Sequence, residues 1–196
     1  MANEKSTTKV ELTKEGRVAT ICFTPETGVN IFSSRVIGNL GVLVQRVAED
    51  HRVRYVVFRG HGKVFLAGAD IAEMANFTED RGRSFAASGH NVFNAIAALP
   101  QITFAAINGH ALGGGCELAL ACDFRLMVAT AKIGLPETTL GLIPGWGGTQ
   151  RLSKIVGDPQ ARRMVFSGAP ISAEEAQRVR LVDEVVPTAE ELDAAL

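Results

Sequence analysis

Polar and apolar positions follow two periods along this chain. Lys9–Thr13 alternates, and Val18–Thr24 is a short β-branched run, so each predicts a strand, with Glu15-Gly16 as a hairpin turn between them. Pro25–Asn30 reads as a loop by composition. From Ser33 onward Val36, Ile37, Leu40, Val44 and Val47 recur at three- and four-residue steps. That spacing predicts an amphipathic helix with Ser33 or Ser34 as its N-cap. Tyr55–Phe58 predicts a buried strand closed by Gly60 and Gly62, and Val92, Ile96 and Leu99 mark a helix that stops at Pro100. Ile102–Ile107 is strand-like and ends in Asn108-Gly109. Glu117–Cys122 is composed of helix formers, and Phe124–Val128 resumes a strand. Further helices are expected near residues 149–156, 159–166 and 173–179, and residues 187–196 resemble the opening of another. Strands alternating with helices predict an α/β protein whose sheet is covered by helix. There is no low-complexity linker and no repeat visible in the sequence.

Composition narrows this picture. At 196 residues the chain suits one domain with a substantial core, and 46% apolar with 21% charged residues describes an ordinary soluble protein. A net charge of -1 gives no electrostatic reason to expect nucleic acid or an anionic membrane as partner. Cys22, Cys116 and Cys122 are odd in number and lack a CxxC pair, which argues against a disulfide framework or structural zinc and fits a reducing compartment. The polar N-terminus has no secretory h-region, and no apolar run approaches the ~20 residues of a membrane helix. A cytoplasmic, single-domain protein is expected.

Glycine changes the picture most. Gly113, Gly114 and Gly115 stand between a predicted strand and a predicted helix, where entropy alone disfavours them. They make sense if the backbone there approaches something closely, and a helix beginning here offers free N–H groups to an anion or a developing oxyanion. The dinucleotide pattern GxGxxG fails from Gly113, whose sixth residue is Leu118, and from Gly145, whose sixth is Gln150. No Gly-Lys-Ser/Thr of a phosphate loop occurs either. Phe65–Ile71 and Gly141–Gly148 form two more glycine-bearing corners ahead of predicted helices.

Taken together, Phe65–Ile71, Ala106–Glu117, Leu135–Glu137 and Gly141–Leu152 resemble the enoyl-CoA hydratase/isomerase (crotonase) family, in register from about Lys9 to Pro187. The resemblance implies an α/β spiral of repeated ββα units, with the C-terminal helical segment of relatives largely missing. It divides the chain into a flexible N-terminus (1–8), an acyl-CoA-binding core (9–187) and the start of the C-terminal helical segment (188–196). It implies an acyl-CoA thioester substrate, no metal and no separate cofactor, since coenzyme A is part of the substrate. It also implies a homotrimer or dimer of trimers if the C-terminal segment is present.

By the same resemblance the oxyanion hole falls on the backbone N–H groups of Ala69 and Gly114, and the acid–base pair on Glu117 and Glu137. Glu117 would be mainly the water-activating base and Glu137 the proton donor. Two carboxyls so placed would repel if both ionised, so their pKa values should split or couple. Ala67, Gly68, Asp70, Ile71 and Ala72 continue the CoA-lining segment, Gly113 adjoins the oxyanion hole, Gly145 lies near the catalytic water, and Val29 sits in a loop toward the adenine. Ala72 stands where some relatives have a basic residue. His110 has no Ser or Cys partner and reads as structural, Cys116 as a buried small residue, and Trp146 as packing or a wall of the acyl pocket. Retention of both glutamates favours a hydratase over an enoyl-CoA isomerase or another crotonase reaction. A non-catalytic acyl-CoA- or RNA-binding scaffold is the alternative of a different class.

Overall fold

The computed structural model describes residues 7–196. The N-terminal hairpin joins β1 (Thr7–Glu15) to β2 (Val18–Thr27) through Gly16, whose φ of 56° suits a tight turn. Two expectations change here. The strand begins at Thr7, so Thr7 and Thr8 belong to the sheet, while Met1–Ser6 of the expected flexible N-terminus lie outside the described residues. The expected loop at Pro25 is a continuation of β2, and the register slips between Thr7 and Thr8, opposite that proline. Proline donates nothing to a ladder, and an irregularity at the outer strand accommodates it.

Helix α1 (Ser34–Ala48) is capped by Ser33, whose hydroxyl accepts from the Val36 N–H, and buries the five predicted apolar residues. Three strand–strand–helix turns follow. The first is β3 (Tyr55–Gly60), β4 (Val64–Leu66), the short α2 (Ile71–Met74) and α3 (Glu79–Ala97). The second is β5 (Ile102–Ile107), β6 (His110–Leu112) and α4 (Gly114–Ala121). The third is β7 (Phe124–Val128), β8 (Lys132–Gly134), a 3-10 turn (Pro136–Leu140), α5 (Gly148–Val156) and α6 (Asp158–Ser167). The chain continues through β9 (Ile171–Ser172), α7 (Ala173–Arg178), β10 (Glu184–Val186) and α8 (Ala189–Ala195).

The first strand of each turn joins a six-stranded sheet of order β1-β2-β3-β5-β7-β10, parallel from β2 onward. The second joins a four-stranded sheet, β4-β6-β8-β9, parallel except at β9. This is the expected spiral of ββα units. Successive turns touch backbone to backbone: a side chain on Gly115 would run into Leu66, so α4 seats directly on β4. The corners are stitched by asparagine. Asn108 accepts from the Gly60 N–H at 2.9 Å and donates to the Gly62 carbonyl at 2.8 Å, tying the second turn to the first. Buried Arg125 donates to the carbonyls of Cys122 and Leu181 and to Asp183, fastening β7 to the segment that enters β10. Among the described residues no helix is long and apolar enough to cross a membrane.

The interior near the corners is aromatic. Trp146 meets Phe32, Phe85 and Phe93 edge-on at centroid distances of 5.5, 5.3 and 5.4 Å. Edge-to-face pairs add ~0.5–1.5 kcal/mol each beyond the area they bury. This cluster fixes the loop that precedes α5.

Candidate active site

Two backbone segments converge at the start of α4. Gly113, at φ 53° and ψ -122°, turns the chain from β6 into the helix, a conformation that favours glycine. Its N–H is spent on the Gly134 carbonyl at 2.9 Å. The next N–H, of Gly114, is one of the helix's orphan donors and meets no acceptor among the described residues. Facing it, Phe32 pairs with Ala69 in a parallel bridge, donating to the Gly68 carbonyl and accepting from the Asp70 N–H. That pairing turns the Ala69 N–H to the opposite side, where again no described residue accepts it. A methyl built on Gly68 would lie 3.7 Å from the Gly114 nitrogen, so the two segments are in contact. Two N–H groups without a described acceptor thus border the same corner, an arrangement that can stabilise an oxygen gaining negative charge.

Both glutamates reach the same corner. Glu117 lies in the first turn of α4 and is only 2% exposed. Its Oε1 accepts from the Trp146 N–H at 2.7 Å and the Gly148 N–H at 2.8 Å, so the carboxyl caps the N-terminus of α5. Burial pushes its pKa up to about 7, the two N–H bonds oppose that rise, and the charge of Glu137 adds to it. Glu137 projects from the 3-10 turn, beneath Gly113: a Cβ there would sit 3.1 Å from Glu137 Oε1. Its Oε2 is buried with no hydrogen-bond partner, and burial raises its pKa as well. Burial raises both carboxyls, and the charge of Glu137 adds to the rise at Glu117, so the two disfavour being ionised together.

These groups open on one cavity of about 240 Å³. Of the residues singled out in the sequence, Ala67, Gly68, Ala69, Ile71, Gly113, Gly114, Glu117, Glu137 and Gly145 line it. Val29, Asp70 and Ala72 do not. Asp70 instead caps α2 by accepting from the Glu73 N–H, and Ala72 is exposed with its carbonyl taken by Asn76. The expectation for His110 holds, since its Nδ1 accepts from the Lys132 N–H at 3.0 Å. Cys116 is buried, and burial raises its pKa well above the usual thiol range. Trp146 takes both roles foreseen for it, core packing and cavity wall.

Sequence reasoning missed the apolar wall formed by Met74, Phe77, Phe85, Leu142 and Ile143. A signal for part of it existed: Thr78 followed by Glu79 and Asp80 is a helix start that puts Phe85 inside α3. It also missed Gly148, where a Cβ would press on Glu117 Oε1 at 3.0 Å. Among the described residues no cluster of three or more His, Cys, Asp or Glu is placed to hold a metal ion.

The enoyl-CoA hydratase/isomerase family model matches residues 13–196. The chain belongs to the enoyl-CoA hydratase/isomerase family. Within this family it is 40% identical over 187 residues to a short-chain-enoyl-CoA hydratase of Clostridium acetobutylicum, a match covering 95% of this chain and 72% of the relative. It is 42% identical over 176 residues to a crotonyl-CoA hydratase of Syntrophomonas wolfei, covering 89% of this chain and 68% of the relative. Among solved structures, an enoyl-CoA hydratase of Bacillus anthracis superposes with a TM-score of 0.91 at 38% identity, over 95% of this chain and 72% of that one. The family's spiral is thus the one described above, and this chain spans about seven-tenths of the length of these relatives.

Proposed function

We propose that this family member is a hydro-lyase of fatty-acid metabolism that adds water reversibly across the 2,3 double bond of an enoyl-CoA, giving the 3-hydroxyacyl-CoA. The observation that carries the reading is the meeting of two carboxyls, Glu117 and Glu137, with two unpartnered backbone N–H groups on one apolar-walled cavity. The names of the relatives support the same reaction.

The thioester carbonyl oxygen is held by the N–H groups of Ala69 and Gly114. As water attacks Cβ, the π electrons move through Cα to that oxygen, and the enolate charge falls on the two donors. Loss of one such donor raises a barrier by about 3 kcal/mol. Glu117 orients the water and takes its proton, and Glu137 delivers a proton to Cα. The bonding pattern supports this division: two main-chain N–H groups favour Glu117 as carboxylate, whereas Glu137 Oε2, buried without a donor, favours the neutral acid. Coenzyme A arrives as part of the substrate, and addition of water needs no redox or metal cofactor. Ala67, Gly68 and Ile71 border the acyl-CoA path, and residues 9–187 form its binding core. Three free cysteines fit a reducing, cytoplasmic setting. Exposed apolar Ile143 and Phe166, at 76% and 75%, fit an interface between copies, a homotrimer or dimer of trimers if the C-terminal segment is present.

The test is loss of enoyl-thioester absorbance when the protein meets crotonyl-CoA. Turnover is expected, and Glu117→Gln and Glu137→Gln should each cut it by roughly a hundredfold or more, the lower range for losing a general acid or base. Binding of crotonyl-CoA without turnover would overturn hydration in favour of another acyl-thioester reaction.

A further inference from the structure

Behind Glu117, on the side away from the cavity, the first turn of α5 carries Arg151. Its guanidinium is half-buried and reaches back along its own helix. Nη1 donates to the Trp146 carbonyl at 2.7 Å, and Nη2 donates to Asn94 Oδ1 of α3 at 2.6 Å. The backbone N–H of Arg151 donates to the Gly147 carbonyl at 2.9 Å. Gly147 has φ 102°, and a side chain there would collide with the Arg151 guanidinium. The arginine therefore clasps the Trp146–Gly148 peptide loop from behind, while the front of that loop donates two N–H groups to Glu117 Oε1.

Resting on the hydratase reading of Glu117, we propose that Arg151 is a positioning residue for water addition: through the Trp146 carbonyl it fixes the two N–H donors that orient the catalytic carboxylate.

A solvated surface arginine would not accept partial burial for nothing. Burial lowers the pKa of this one, and Glu117 opposes that change, so the two charges sense each other without touching. The groups around Glu117 are few. Glu137 faces it from the 3-10 turn, Arg151 from α5, and the buried neutral Cys116 from its own helix. Around Arg151 stand His90 and Asn94 from α3, and Gln150 and Lys154 from α5. Among the described residues only Arg151 joins a bond to the loop with a charge that reaches Glu117. Losing it both loosens the two donors and removes a cation, and both changes disfavour the carboxylate form of Glu117.

The experiment compares Arg151→Gln, Arg151→Lys and Asn94→Ala with the unaltered chain, using crotonyl-CoA across pH 5 to 9 and, separately, thermal melting across the same range. Arg151→Gln should lower kcat at least about tenfold with little change in KM, approaching the hundredfold cost of a 1 Å misplacement. It should move the acidic limb of kcat/KM upward by about half a unit or more, less than the 1–3 units of a directly contacting charge. Arg151→Lys keeps the cation, so it should restore the limb without restoring kcat, since an ammonium cannot span two acceptors in one plane. Asn94→Ala, at an exposed position, should give a smaller kcat loss with the limb in place. Lys154→Gln, which changes a charge in the same groove, should change neither. A limb that stays put in Arg151→Gln, or one displaced equally by Lys154→Gln, would overturn the proposal. Melting gives a readout independent of turnover. The pH-dependent stability difference between the Glu117 chain and Glu117→Gln should shift upward in pH when Arg151→Gln is added. If crotonyl-CoA is not hydrated at all but this coupling appears, the water-addition assignment fails while the positioning of Glu117 by Arg151 stands; if the coupling is absent, the positioning fails.

Discussion

At the scale of single residues, the site is built against stability. Glu117 is almost wholly buried, and its carboxyl is raised from 4.5 to about 7. A carboxyl raised on folding stabilises the native state fully below its unfolded value, and that contribution is lost as pH rises through the folded value. Between pH 4.5 and about 7 the chain therefore gives up stability at this one side chain. Glu117→Gln keeps an oxygen for the Trp146 and Gly148 N–H groups but removes the charge. It should melt higher than the parent at pH 8, by an amount equivalent to about 3 kcal/mol, and nearly equal to it at pH 4. Calorimetric scans at the two pH values check this; an equal offset at both would show that charge burial is not the cause. Glu117 and Glu137 were both legible in the sequence through the motifs around them. The backbone donors that hold Glu117, at Trp146 and Gly148, were not, because they lie about thirty residues further along the chain and meet it only across the fold.

At the scale of elements, legibility follows length. The sequence pattern alone located α1, because Ser33 caps it and five apolar residues repeat along one face. The three-residue strands β4, β6 and β8 were invisible, since so short a segment shows no period and its extended form comes from its neighbours. Glycines divide the same way. Gly38 lies within α1 with nothing within 4 Å of a Cβ placed there, so Gly38→Ala should stabilise the chain by about 0.5–1 kcal/mol through helix propensity. Gly115, also helical, has Leu66 in that space, and Gly115→Ala should cost on the order of 1–3 kcal/mol by forcing α4 off β4. Urea unfolding midpoints at unchanged slope give both signs. If Gly115→Ala were neutral, the close seating of α4 would not be a constraint.

At the scale of the molecule, the cavity belongs to no single element. Its two unpartnered N–H groups come from the segment after β4 and from α4, its carboxyls from α4 and the 3-10 turn, and its apolar wall from α2, α3 and the loop before α5. A ligand there bridges all three turns of the spiral and should stabilise the whole chain. With the doubly substituted Glu117→Gln, Glu137→Gln protein, which cannot turn it over, crotonyl-CoA at a hundred times its Kd should add about 2.7 kcal/mol to unfolding. A melting temperature indifferent to crotonyl-CoA would mean that the three turns do not assemble a thioester site. By itself the sequence determined the order of the longer strands and helices, the glycine corners and the positions of the two carboxyls, since each is written in local pattern or contiguous motif. Only the tertiary structure decided which residues line the cavity and what holds Glu117. It excluded Val29, Asp70 and Ala72 from the lining and brought in Met74, Phe77 and Phe85, and it set Arg151 behind the loop that grips Glu117. The physical reason is that a side chain's direction, burial and partners depend on contacts between turns of the spiral, which are separated by tens of residues along the chain.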